Sequence, residues 1–202
     1  MQLNVQDLAC VRGGRRVFEG VSIRVKARGG VALTGPNGSG KSSLLRVLAG
    51  FIAPAAGTLH LEGGDDETPL GAQCHYVGHL NGVKNAFTLA ENLAFWAEFL
   101  GGGDVAHALR VFGLEALGDI PAGLLSAGQA RRLGLARLAL APRPLWLLDE
   151  PTVSLDAGSR KILAKVIREH MKGGGIVIVA THMPLGLRLD QELKLGASVR
   201  TP

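Results

Sequence analysis

The sequence predicts an α/β fold: a mainly parallel sheet covered by helices, with a helical segment inserted into it. Three observations carry this. Short apolar runs at 31–34, 145–148 and 176–180 read as buried strands, with helical patterns alternating between strands. The first run enters a glycine-rich loop that opens a helix. The stretch from about 83 to 140 holds helical patterns with no strand between them, and reads as an insert in one domain spanning residues 1–202.

In chain order, Leu3, Val5 and Leu8, then Val21, Ile23 and Val25, are spaced as strand residues with one buried face. After the strand at 31–34, residues 41–51 place Leu44, Leu45 and Leu48 on one helical face. Residues 58–61 and 75–77 read as further strands. Thr88, with Glu91 three residues on, forms a capping box, in which each side chain satisfies the other's backbone N–H. It opens a helix with Leu89, Leu93, Trp96 and Leu100, ended by the glycines at 101–103. Asp104 starts another helix, closing near Gly113. A loop around Pro121 leads to Ser126 and a helix to about Ala141. Asp156 caps a helix to about Met171, and the glycines at 173–175 break it before the strand at 176–180.

With 47% hydrophobic and 19% charged residues, the chain reads as globular. No apolar stretch reaches the ~18 residues that indicate a membrane span. The opening MQLNVQDLAC lacks the cationic start and apolar run of a signal peptide. Glycine is abundant, 29 of 202 residues, without low-complexity repeats, so it reads as tight turns and close backbone approaches. A formal net charge of +5 is compatible with nucleic acid, an anionic membrane surface, phosphate ligands or a plain basic surface. Cys10 and Cys74 permit one disulfide at most and are expected to be reduced. Cys74, His75 and His79 lie close in sequence, but their spacing fits neither a zinc finger nor haem attachment.

Chemistry concentrates at Gly35-Pro36-Asn37-Gly38-Ser39-Gly40-Lys41-Ser42, which satisfies G-x-x-x-x-G-K-[ST] between a strand and a helix. Such a loop wraps phosphates with backbone N–H groups, and the helix dipole adds to the field. Lys41 is placed to reach the β- and γ-phosphates and Ser42 to ligate Mg²⁺, with Ser43 next in the cradle. The strand at 145–148 ends in Asp149, placed to hold Mg²⁺, and Glu150, placed to orient or deprotonate the attacking water. Leu125-Ser126-Ala127-Gly128-Gln129 precedes a helix with Arg131, Arg132 and Arg137, a second anion site at a helix N-terminus.

Together these residues resemble the nucleotide-binding subunit of an ABC transporter along essentially the whole chain. The matches are a Walker A loop at 35–42, an LSAGQ signature at 125–129 and Walker B at 145–150. A D-loop at Ser154-Leu155-Asp156 and a switch histidine at His182 follow, in the family's order. The resemblance implies a P-loop NTPase of ABC-ATPase type: a mainly parallel core sheet, an antiparallel β subdomain and a helical subdomain at about 83–140. It implies hydrolysis of ATP with Mg²⁺, and a head-to-tail dimer with two ATPs sandwiched at its interface. Ser126 and Gly128, with Gln129 in the same ATP-binding set, would meet the γ-phosphate held by the other copy. His182 would meet it in cis, and Asp156 would link the two sites.

Two positions depart from the family pattern. Where the family usually has Gln, after the strand at 75–77, this chain has His79. A histidine there either ligates Mg²⁺ or holds water, with shorter reach and pH-dependent charge, or is a solvated loop residue. Slower or more partner-dependent hydrolysis is the expectation. Where the family stacks an aromatic residue on adenine, this chain has Arg12, either a guanidinium plane on the base or a solvated charge.

With Arg131-Arg132 after LSAGQ, Gly78-His79-Leu80-Asn81-Gly82-Val83-Lys84 and Leu89-Ala90-Glu91-Asn92-Leu93, the chain most resembles one branch. That branch is the ATP-binding subunit of the cytochrome c maturation haem-export complex. There the subunit lies on the cytoplasmic face of the inner membrane, under integral membrane subunits. Its turnover serves haem delivery and release of the haem-loaded chaperone. This chain carries no haem motif and would be the motor, with haem not bound directly and no nucleic acid as partner. Leu93, Phe95, Trp96 and Phe99 form either part of a groove for a coupling helix or core packing. The competing readings are a soluble iron–sulfur assembly ATPase, an exporter subunit for another substrate, and a DNA-repair or translation ATPase. A non-hydrolysing subunit is a further one, against which Glu150 and His182 stand. Residues 185–202 carry no readable motif.

Overall fold

A computed structural model describes residues 1–196. Along the chain lie β1 (Gln2–Arg12), β2 (Arg15–Lys26), β3 (Gly30–Thr34), α1 (Lys41–Leu48), β4 (Ala56–Glu62) and β5 (Cys74–Val77). Then come α2 (Leu89–Leu100), α3 (Val105–Val111), α4 (Ala127–Ala136), β6 (Leu145–Asp149), α5 (Ala157–Lys172), β7 (Ile176–Ala180) and β8 (Gln191–Lys194). They form two compact units. One comprises Met1–Tyr76, Arg143–Glu150 and the chain from Ile167, the other Val77–Pro142 and Pro151–Val166.

The first unit holds two sheets. The antiparallel one runs β2-β1-β4. In β1 the buried residues change parity, from Leu3 and Val5 to Leu8 and Cys10. A register shift between Val5 and Leu8, with Asp7 at φ 47°, keeps all four on the core face. The other sheet runs β5-β6-β7-β3-β8, and the pairs β6–β7, β7–β3 and β3–β8 are parallel. Every residue of β6 and β7 is buried, which is why these strands read as continuous apolar runs. β8 matches no expected strand. It is an edge strand whose sequence, Gln191-Glu192-Leu193-Lys194, has one half-buried residue and so no pattern to read.

Helix α1 packs on β6 and β7, and its Leu44, Leu45 and Leu48 share a core with Leu3, Leu33, Leu61, Leu147 and Ile178. It stops at Leu48, short of the expected 51, because Gly50 turns the chain at φ 76°.

In the second unit α2, α3 and α4 pack on one another. The Thr88–Glu91 capping box forms: Glu91 N–H donates to Thr88 Oγ1 at 3.1 Å and Thr88 N–H to Glu91 Oε2 at 2.8 Å. Asp104 caps α3 by accepting from His107 N–H at 2.9 Å. The helix expected to reach Ala141 ends at Ala136 and tightens into a 3₁₀ turn at Arg137–Ala139. On α2, Leu89 and Leu93 are buried, but Phe95 is 45% and Phe99 72% exposed. Core packing therefore accounts for Leu93 in the expected stripe, Trp96 is half-buried, and Phe95 and Phe99 stand outside the core. Among the described residues no helix is long and apolar enough to cross a membrane.

Candidate nucleotide site

In the first unit, sheet register sets the site. Leu33, Ala180 and Asp149 form one row across three parallel strands. The loop after β3, Asp149 with Glu150, and Thr181 with His182 therefore leave from the same sheet edge, the carboxyl edge where open α/β sheets place ligands.

Gly35, Gly38 and Gly40 stand at φ 132°, 81° and 97°, conformations that side chains rarely allow. Gly35 is required for a second reason: a Cβ there would lie 2.2 Å from the Leu195 carbonyl oxygen, just beyond β8. Pro36, Asn37 and Gly38 form the exposed tip, and Ser39 N–H donates back to the Pro36 carbonyl at 3.2 Å. Lys41 is buried, and its ammonium donates to the carbonyls of Gly35 at 2.8 Å and Pro36 at 3.0 Å. Ser42 and Ser43 follow in the first turn of α1.

Two features suit a phosphate. The N-terminus of α1 has no side-chain cap and no acidic residue in its first turn, leaving its field open to an anion. The Ser39 hydroxyl is buried with no hydrogen-bond partner among the described residues. Buried hydroxyls are nearly always paired, so a ligand oxygen is the partner this position calls for.

Asp149 ends β6 at 3% exposure. Glu150 follows at φ 46°, rare for a residue with a side chain and typical of strained functional positions. Its N–H is held by the Ala180 carbonyl at 2.8 Å. Its carboxylate accepts from His182 N–H at 3.3 Å, and its other oxygen lies 3.4 Å from His182 Nε2. The structure thus brings the expected base and the expected switch histidine into contact. Arg12 is exposed at the end of β1, opposite Arg15. The same hairpin touches the phosphate loop through Val17 and Phe18, which lie against Gly40. No motif at Val17 or Phe18 marks that contact in the sequence, where the strand is carried by Val21, Ile23 and Val25.

In the second unit, Ser126 caps α4. Gln129 N–H donates to Ser126 Oγ at 3.2 Å and Ser126 N–H to Gln129 Oε1 at 2.8 Å. The helix start expected at Ser126 is therefore built as a capping box, Ser-x-x-Gln. It fixes both signature side chains to each other. Gly128 lets the Ser154 carbonyl approach, since a Cβ there would lie 2.9 Å from that oxygen. Ser154 itself stands at φ 64°. Asp156 caps α5 through Ser159 N–H at 2.7 Å, and this bond with the Ser159 hydroxyl holds its carboxyl below the usual carboxylate range. His79 is exposed in the loop after β5.

This fold and this site define an ATPase of the ATP-binding-cassette class. Residues 18–153 match the ABC transporter family. The chain is 50% identical over 200 residues, 98% of its own length and all of the relative's, to the cytochrome c biogenesis ATP-binding export protein CcmA of Nitrobacter winogradskyi. It is also 50% identical over 198 residues to the protein of that name from Bradyrhizobium diazoefficiens, covering 97% of this chain and 98% of that one. A solved ATP-binding subunit of an ABC transporter is similar with a TM-score of 0.84 at 25% identity, over 96% of this chain and 86% of that chain. The chain belongs to the ABC transporter family, in its branch of cytochrome c biogenesis ATP-binding export proteins.

Proposed function

We propose that this chain is the motor of a membrane complex for c-type cytochrome maturation, where ATP turnover drives haem delivery and release of the haem-loaded chaperone. The observation that carries the reading is half identity, along the whole chain, to relatives named for cytochrome c biogenesis export.

In this reading the phosphates rest on the N–H groups of residues 35–40 and the start of α1. Lys41 exchanges its loop carbonyls for the β- and γ-phosphates. Ser42 and Asp149 would hold Mg²⁺, which when bound neutralises charge on the phosphoryl oxygens. Glu150 takes a proton from water as the water oxygen bonds to the γ-phosphorus. The bond to the β–γ bridging oxygen breaks, giving ADP and phosphate. His182 orients Glu150 and meets the γ-phosphate. In a head-to-tail dimer, Ser126, Gly128 and Gln129 of one copy complete the ATP site of the other, and Asp156 links the sites. His79 takes part in turnover, and Arg12 stacks on adenine. Exposed Phe95 and Phe99, in the helical subdomain at about 83–140, receive a coupling helix of the integral membrane subunits on the cytoplasmic face. Haem is bound by those partners, and no nucleic acid takes part.

The test is extraction of the tagged full chain from native membranes in mild detergent. Co-purifying multi-span subunits and a haem Soret band are expected. Glu150→Gln should keep ATP binding and lose turnover. Recovery in the soluble fraction alone, or with iron–sulfur assembly proteins, would refute the membrane role while leaving the ATPase chemistry standing.

A further inference from the structure

Arg131 lies on α4, in the helix that Ser126 caps, and is only 3% exposed. A buried guanidinium must be matched donor by donor. Its Nη1 donates to the Gly78 carbonyl at 2.9 Å and to Asn81 Oδ1 at 3.0 Å, and its Nε donates to the Pro151 carbonyl at 3.3 Å. Gly78 and Asn81 bracket His79 and Leu80, and the Gly78 carbonyl belongs to the peptide bond that enters His79. Pro151 is the residue after Glu150.

Other bonds pin the same loop. Asn81 lies so close to Gly134 of α4 that a Cβ there would come within 3.0 Å of it. Trp96 Nε1 donates to the Gly82 carbonyl at 3.3 Å. The Asn92 side chain pairs with Lys84 N–H at 2.8 Å and Lys84 carbonyl at 3.0 Å. Within this frame, His79 and Leu80 are exposed.

We propose that Arg131 is a positioning residue for turnover: it ties the His79 loop and Pro151 to the signature helix, so that His79 and Ser126 are set as one group. The inference rests on the proposed role of His79. The planar fork is what allows one side chain to hold three acceptors on two separate loops. Lysine would keep the charge and lose that geometry.

The test is steady-state ATPase kinetics of the full chain carrying Arg131→Lys, His79→Ala and both, with melting curves for each. Arg131→Lys should lower kcat about ten-fold while KM for ATP moves less than about two-fold, because the phosphate cradle is untouched. On a His79→Ala background the same change should cost less than about two-fold, because both substitutions remove one function. If Arg131→Lys fails to melt cooperatively, Asn81→Ala removes one of the same bonds and takes its place throughout. Equal losses with and without His79, or a raised KM at unchanged kcat, would overturn the role of Arg131. If His79→Ala alone leaves kcat at the parent level, the reading of His79 falls, and the role of Arg131 with it.

Discussion

Trp146 and His170 stack face to face, with ring centroids 3.9 Å apart and planes 7° apart. His75 meets Trp146 edge-on at 6.2 Å, and His170 Nε2 lies 3.2 Å from the Ile176 carbonyl. The stack joins β6 to the end of α5. Burial holds the His170 pKa below its ordinary 6.5, against a smaller opposing effect of the Ile176 carbonyl, so folding disfavours the charged ring. The unfolded chain binds the proton more readily. His170 therefore contributes stability that is complete above about pH 6.5 and is lost as pH falls below that toward the folded pKa. Urea midpoints taken between about pH 7.5 and 5 should fall more steeply for the parent than for His170→Phe, which keeps the stack and removes the titration.

Gly35 and Gly38 should respond differently to alanine, although both have positive φ. At Gly35 the new methyl meets the Leu195 carbonyl at 2.2 Å, whereas at Gly38 nothing lies within 4 Å. Without nucleotide, Gly38→Ala should cost about 1 kcal/mol from backbone strain alone, and Gly35→Ala several times that. Equal melting temperatures for the two variants would show that the contact with Leu195 is unimportant.

Capping and catalysis can be separated by comparing Thr88 with Ser126. Each closes a capping box, so each alanine variant should lose about 1 kcal/mol of stability in denaturant titrations. Only Ser126→Ala should also lower ATP turnover, because Thr88 belongs to no proposed site.

Cys74 should be inert. Burial pushes its thiol up to about 12, and the thiol already meets the Gly71 carbonyl at 3.2 Å. Iodoacetamide at about pH 8 should leave Cys74 unmodified in the folded chain and label it after denaturation, as read by peptide mass.

The sequence made legible whatever rests on local pattern: the phosphate loop, the apolar strands β6 and β7, and the caps at Thr88, Asp104 and Asp156. It also led to Glu150 and His182 as chemistry. It did not reveal their contact, which depends on the register of β6 against β7. It did not reveal β8, an edge strand without a buried face of its own. The role of Arg131 was equally hidden. The acceptors at Gly78, Pro151 and Asn81 are two backbone carbonyls and one side-chain amide on distant loops, and backbone acceptors leave no trace in residue identity.

The back wall of the phosphate loop has a consequence for synthesis of the protein. The loop and its lysine are made early, but the carbonyl that Gly35 abuts belongs to Leu195, whose N–H is in turn held by Thr34 at 2.8 Å. On the ribosome, a nascent chain that has already formed β3 and α1 still lacks the strand that sets this cradle. The seating of the phosphate loop is thus finished only when β8, the last strand among the described residues, has joined the sheet beside β3.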